Sequence, residues 1–119
     1  MSLTFRIELH KNNFDVNLLR AYVNLKMKNF DESLKDLTVL SNYLNDLKTN
    51  NVEPDLQPER EEKLRLHFSY TYNEMGQLLF EKEDYQNAYY LFKEAEKFNK
   101  NNIGLLCNLG DCFIVSFNS

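Results

Sequence analysis

Apolar residues in this chain fall into stretches that repeat one another, broken by short polar runs rich in Asn. Residues 72–79, Tyr-Asn-Glu-Met-Gly-Gln-Leu-Leu, run aromatic-or-apolar, two residues, apolar-Gly, two residues, apolar; residues 106–113, Leu-Cys-Asn-Leu-Gly-Asp-Cys-Phe, run the same way. Spacings of three and four place such positions on one face of an α-helix. The pattern along the chain predicts a partial helix over about 3–10, a helix pair over 15–47, a second pair over 58–98 and a last helix over 102–117. Between the pairs, residues 48–57 (Lys-Thr-Asn-Asn-Val-Glu-Pro-Asp-Leu-Gln) have the composition of a loop. Pro58 followed by Glu59 suits a helix's first turn, where a missing N–H costs nothing and an acid favours the helix dipole. The helix ahead of Gly76 is therefore about three turns longer than the others, and its Leu64, Leu66 and Phe68 need cover.

The glycines Gly76 and Gly110 are 34 residues apart, as are Met75 and Leu109, and Leu79 and Phe113. Gly76 is followed at twelve residues by Ala88, then by Phe92 and Ala95, before Lys100-Asn-Asn102. Small residues at 76 and 88 let two antiparallel helices approach, and Tyr85 and Phe92 fill the space beside them. The stretch from Leu19 to Leu40 resembles the same unit, with Ala21 for the glycine and Ser33, again twelve residues on, for the alanine. Asn24 stands where Leu79 would, so this copy is the less regular one. The residues expected to pack the repeats are thus Ala21, Ser33, Met75, Gly76, Leu79, Ala88, Phe92, Ala95 and Gly110.

With this period and these small and large positions, the chain resembles the tetratricopeptide repeat (TPR) family. The resemblance implies an all-α fold in which antiparallel helix-turn-helix repeats stack as a right-handed solenoid of about six helices. Its expected divisions, within a single domain over 1–119, are the end of a partial repeat at 1–13, a repeat at 14–47, an insertion with a helix extension at 48–68, a repeat at 69–102, and the first helix of a partial repeat at 103–119. Ile7-Glu-Leu-His-Lys11-Asn12-Asn13 matches the repeat-closing Lys100-Asn-Asn102 with the helix before it.

Composition adds exclusions. The chain has 119 residues, 43% apolar and 27% charged, the balance of one globular domain, with only three Gly and two Pro. A formal charge of −4 argues against nucleic acid or anionic lipid as a partner. No stretch approaches the roughly 20 apolar residues of a membrane span, and Arg6 and Glu8 interrupt any leader-like run. Cys107 and Cys112, five apart on one helix, point about 140° away from each other and cannot pair. Reduced thiols and a cytoplasmic location are expected; the sequence does not narrow this to a cytoskeletal or ciliary assembly.

No catalytic constellation is present. His10 and His67 stand alone, without an HExxH pair or a cysteine cluster that would complete a zinc site. Cys107 has no base beside it in sequence and suits a helix face better than a nucleophile's role. The glycines are scattered over helices and cradle no phosphate, and runs such as Glu59, Glu61 and Glu62 are solvated faces. The expectation is a non-enzymatic, metal-free and cofactor-free protein-protein interaction module.

The TPR resemblance implies two binding surfaces. First helices of successive repeats line a concave groove that holds a peptide or a partner's helix. Its candidates here are Tyr22 and Lys26, with Leu18 and Leu25 either beside them or in the core, then Tyr70, Asn73, Glu74, Gln77 and Glu81, then Asn108 and Asp111. Chaperone-binding members grip a C-terminal carboxylate with basic groove residues; the matching places here hold Leu18, Tyr22, Glu74, Gly104 and Asn108, so a carboxylate clamp is not expected. A groove with Glu74, Glu81 and Asp111 prefers a neutral or basic segment. The second surface is the apolar end formed by Leu106, Leu109, Phe113, Ile114 and Phe117, which calls for cover as a terminal solenoid helix does. Either another chain completes it, as a head-to-tail copy or a distinct subunit, or the sequence is a piece of a longer repeat protein. Two roles follow: a scaffold or subunit of a larger assembly held through its exposed ends, or a free adaptor binding a peptide in the groove.

Overall fold

A computed structural model describes residues 14–118, with side chains up to residue 116. The helix expected at 3–10, with His10, and the side chain of Phe117 lie outside the described residues. Over the described residues the chain is all-helical: α1 (Phe14–Lys26), α2 (Phe30–Thr49), a 3-10 turn (Pro54–Leu56), α3 (Gln57–Glu81), α4 (Tyr85–Phe98) and α5 (Ile103–Asn118). It falls into two compact units, one within Met1–His67 and one within Phe68–Ser119. The division lies inside α3, at the end of the stretch that sequence assigned to an insertion.

In the first unit α1 buries Phe14, Leu18, Ala21 and Leu25, at spacings of four, three and four. From α2 come Ser33, Leu37, Leu40, Tyr43, Leu44 and Leu47. Leu18 and Leu25 are therefore core residues, and burying each such leucine is worth about 1.5–3 kcal/mol. Where α1 meets α2, the small Ala21 lets the Ser33 hydroxyl donate to its carbonyl at 2.8 Å. That bond gives the buried hydroxyl the partner it needs. The turn between the helices passes through Lys28 at φ 62°. The Lys28 and Asn29 amides reach back to the carbonyls of Leu25 and Asn24, satisfying groups that the end of α1 leaves open.

Beyond α2, Asn51 and Glu53 also take left-handed backbone, and the chain re-enters helix through Pro54 and Gln57. The buried Gln57 side chain donates to the Val52 carbonyl at 3.2 Å, tying this loop to the start of α3. The first turns of α3 bury Leu64, and the Arg60 guanidinium sits 5.7 Å from the centre of the Phe14 ring. Leu66, by contrast, is exposed.

The second unit holds the rest of α3 with α4 and α5. Its turn between α3 and α4 passes through Glu83 at φ 66°. The Glu83 and Asp84 amides bond the carbonyls of Phe80 and Leu79, the same pattern as in the first unit. Asp84 starts α4; it accepts from the Asn87 backbone at 3.4 Å, a long contact, and from the Asn87 carboxamide at a firmer 2.9 Å. At Gly76 the Phe92 side chain of α4 lies against the bare backbone of α3: a Cβ there would lie 2.5 Å from Cε1 of Phe92. One turn-pair away, the buried Ser69 hydroxyl donates to the Ala95 carbonyl at 2.8 Å.

Phe68 and Tyr72 stack on Phe98 with centroid distances of 5.0 and 5.9 Å, which covers the Phe68 ring. Ala88, Phe92, Ala95, Leu105, Leu109 and Cys112 form the core, flanked by Tyr72, Leu79 and Phe80. Met75 is half-buried. Two sequence expectations need correction on α5. Leu109, expected on the exposed end, is only 8% exposed and belongs to the core, because it shares the inward face with Leu105 and Cys112. Gly110, expected to pack as Gly76 does, is exposed, and a Cβ added there would meet nothing within 4 Å.

Candidate functional site

The candidate groove residues do not all stand free. In the first unit Tyr22 is exposed, with the Lys26 ammonium 5.3 Å above its ring centre and the His67 ring edge-on at 6.5 Å. His67 Nδ1 lies 2.9 Å from the Lys63 carbonyl, so that nitrogen carries the proton.

In the second unit the structure gathers Gln77 and Glu81 from α3 with Asn108 and Asp111 from α5 around one cavity of about 320 Å³, walled by Phe80 and Phe92. Asn73 corrects another expectation: it is buried, and its Oδ1 accepts from Asn108 Nδ2 at 2.9 Å, so it braces α5 against α3 behind the cavity. Tyr70 and Glu74 are half-buried and do not line it. Glu81 and Asp111 are exposed, and neither is ion-paired to a cation among the described residues.

The outward face of α5 is apolar. Ile103, Leu106, Phe113 and Ile114 are 77%, 46%, 62% and 57% exposed. At 100° per residue they lie within one stripe, and Gly110 sits at its centre. Asp111 is the only charged residue in the helix. Beside the stripe a shallow cavity of about 600 Å³ is lined by Glu83, Asp84, Tyr85, Gln86, Tyr89, Phe113 and Ser116. Large apolar side chains exposed together along one stripe mark it as a candidate contact surface.

One constellation was not foreseen. Asp36 is buried on α2, yet its carboxylate accepts from Arg20 Nη2 at 2.7 Å, from Arg20 Nε at 3.2 Å and from Asn24 Nδ2 at 3.0 Å. Asn24, the departure from the repeat pattern, is thus one of the three donors that let an acid sit at a helix contact. The hydrogen bond to Asp36, and then its charge, raise the Arg20 pKa above its ordinary value. The Arg20 side chain is well exposed, so the arrangement is a half-buried fork and not an enclosed ion pair. An i, i+4 Arg-Asn pair on one helix, matched to an acid at a helical core position of the next, is the signal that would find it.

Cys107 is exposed and Cys112 is fully buried. Burial first, and then the Asp111 charge, push the Cys112 thiol above its usual range. Among the described residues no three His, Cys, Asp or Glu side chains converge in a way that could hold a metal ion. No helix among them is long and apolar enough to cross a membrane. Neither protein-family models, nor curated proteins, nor solved structures provide a match to this chain.

Proposed function

We propose that this chain is a non-catalytic protein-protein interaction module of the tetratricopeptide type, and that it joins a larger assembly by taking a partner's helix on the outward face of α5. The observation that carries the reading is Gly110, in the middle of the apolar stripe, with open space over its Cα. Gly76, 34 residues earlier, stands in a similar pattern of apolar and polar positions, and there Phe92 of an adjoining helix occupies the corresponding space. A helix presenting a large apolar side chain to Gly110, flanked by Leu106, Phe113 and Ile114, would bury the stripe as Phe92 buries the Gly76 surface. Repetition of the interhelical turn, with matching hydrogen bonds at Lys28 and Glu83, supports the repeat reading.

The incoming helix belongs either to a second copy, docked head-to-tail, or to a distinct subunit. Sedimentation velocity from micromolar to several hundred micromolar protein separates the two. Self-association predicts a sedimentation coefficient that rises with concentration and a Phe113→Glu variant that stays monomeric. A chain that remains monomeric throughout removes the head-to-tail arrangement and leaves the distinct subunit. Thermal melting of Phe113→Glu tests the reading itself: an unchanged melting temperature is expected of a contact surface, and loss of folding would make the stripe part of the chain's own core.

A further inference from the structure

Helix α1 carries a second apolar face, turned away from the one it buries. Val16, Leu19, Val23 and Met27 are 62%, 61%, 46% and 66% exposed. The Met27 amide bonds the Val23 carbonyl at 3.0 Å, which keeps Met27 in helical register just past the end of α1. At 100° per residue the four lie within about 80° of one another, and their centre is about 170° from that of the buried face of Phe14, Leu18, Ala21 and Leu25. A surface helix has one apolar stripe for its core, so an opposite one is surface that calls for a partner. None of the four belongs to the groove candidates or to the apolar end on α5, which lies in the other unit.

The charges beside this face are self-complementary. Asp15 and Lys26, both exposed, lie at opposite ends of one flank of the stripe. Lys63 stands 3.9 Å from the Asp15 carboxylate but closer, at 3.4 Å, to Glu59. An antiparallel copy of the same helix lays this flank on itself, so that Asp15 of each copy meets Lys26 of the other. With the two-fold axis near residue 21, Leu19 faces Val23 of the second copy and Val16 faces Met27. Arg20 lies on the other flank, close to the axis and to its own counterpart, and its fork to Asp36 compensates the two positive charges there.

We infer that α1 pairs with α1 of a second copy of this chain, antiparallel and two-fold symmetric, through Val16, Leu19, Val23 and Met27 and two reciprocal ion pairs between Asp15 and Lys26. A parallel pairing would hold Asp15 about 16 Å along the axis from Lys26 and lose both pairs. A two-fold contact uses one patch on both partners and closes, so this surface alone builds a dimer and nothing larger. The helix has 13 residues and is about 20 Å long, too short to cover the roughly 800 Å² per partner of a standard interface, which makes the dimer a weak one that forms as concentration rises.

Sedimentation equilibrium of the full chain from micromolar to millimolar concentration tests this, with Phe113→Glu as the parent because it disables the α5 surface. The parent should dimerise and go no further. Leu19→Glu in this parent should abolish the dimer and leave the melting temperature unchanged. Asp15→Lys and Lys26→Asp should each weaken the dimer about tenfold, since each turns two attractions into repulsions, and the two changes together should restore it. A parent that stays monomeric at millimolar concentration would overturn the inference, as would a dimer that survives Leu19→Glu or a combined charge reversal no tighter than the single ones. If Leu19→Glu unfolds, the charge reversals, at exposed positions, still decide. If Phe113→Glu itself unfolds, α5 offers no contact surface and the wild-type chain serves as parent. A monomeric parent leaves the α5 reading standing, and loss of the α5 reading leaves this dimer standing.

Discussion

Lys28 and Glu83, 55 residues apart, hold the same left-handed backbone, at φ 62° and 66°, and make the same hydrogen bond to a carbonyl three residues back. Neither is glycine, the residue that takes this conformation without steric cost. The two turns are therefore copies in geometry, and each holds its helix pair together despite an unfavourable residue at its sharpest point.

Replacing either residue with glycine should stabilise the protein. Relief of the side-chain clash outweighs the added freedom of the unfolded chain, and Lys28→Gly and Glu83→Gly are each expected to gain about 0.5–1 kcal/mol. Because the turns lie in different units, the gains should add. Urea unfolding of both singles and the double variant measures this, and a loss of stability in both singles would contradict it.

Gly76 and Gly110 should respond in opposite directions to the same substitution. Gly76→Ala puts a methyl 2.5 Å from Phe92, and the resulting overpacking is expected to cost about 1–3 kcal/mol. Gly110→Ala meets open space within an exposed helix and is expected to gain up to about 1 kcal/mol from helix propensity. Thermal melts read by circular dichroism distinguish the two, and equal shifts would argue against the close approach at Gly76.

At the Asp36 fork, Asp36→Ala leaves the Asn24 and Arg20 donors without their acceptor. A destabilisation of about 1–3 kcal/mol is expected, against about 0.5 kcal/mol for the exposed Arg20→Ala alone. A double-mutant cycle over Arg20 and Asp36 should show positive coupling, and independence of the two changes would reduce the fork to a surface contact.

The two cysteines should behave as one accessible and one protected thiol. A thiol reagent is expected to titrate only Cys107 in the folded protein and both cysteines in denaturant. Burial raises the Cys112 pKa, so above the ordinary thiol pKa, near about 8.5, the unfolded chain releases this proton while the folded one keeps it. Folding is then linked to proton retention, and stability should fall as the pH climbs from about 8 to 10. Tyr72, whose pKa is raised first by burial and then by the Glu94 charge, extends the fall past about pH 10. Denaturation at stepped alkaline pH checks this, with Cys112→Ala expected to flatten the first part of the slope.

Helices and their turns were legible because local sequence dictates them. Gly76, Ala88, Phe92 and Ala95 are fixed by spacing within one helix pair, and the spacing alone places small against large. What was not legible depends on groups distant in sequence. The Asp36 carboxylate reads as a charge on a helix surface until Arg20 and Asn24, sixteen and twelve residues earlier, are brought against it. Asn73 reads as a polar groove residue until Asn108, 35 residues on, turns it into a brace. Leu109 and Gly110 are adjacent; sequence places Leu109 on the exposed end and, by the 34-residue match, gives Gly110 the role of Gly76. The rotation of α5 about its own axis decides which faces inward, and no single-helix pattern states that rotation when Leu105, Leu106, Leu109 and Phe113 are all apolar.

Phe92 resting on the bare backbone at Gly76 has a consequence for inheritance. Neither position is free to drift alone: a side chain at 76 needs a smaller residue at 92, and a smaller residue at 92 opens a void that only a side chain at 76 would fill. Relatives of this chain should therefore change the two together, and the pair, sixteen residues apart, should leave a mark of covariation that the open position at Gly110 does not share.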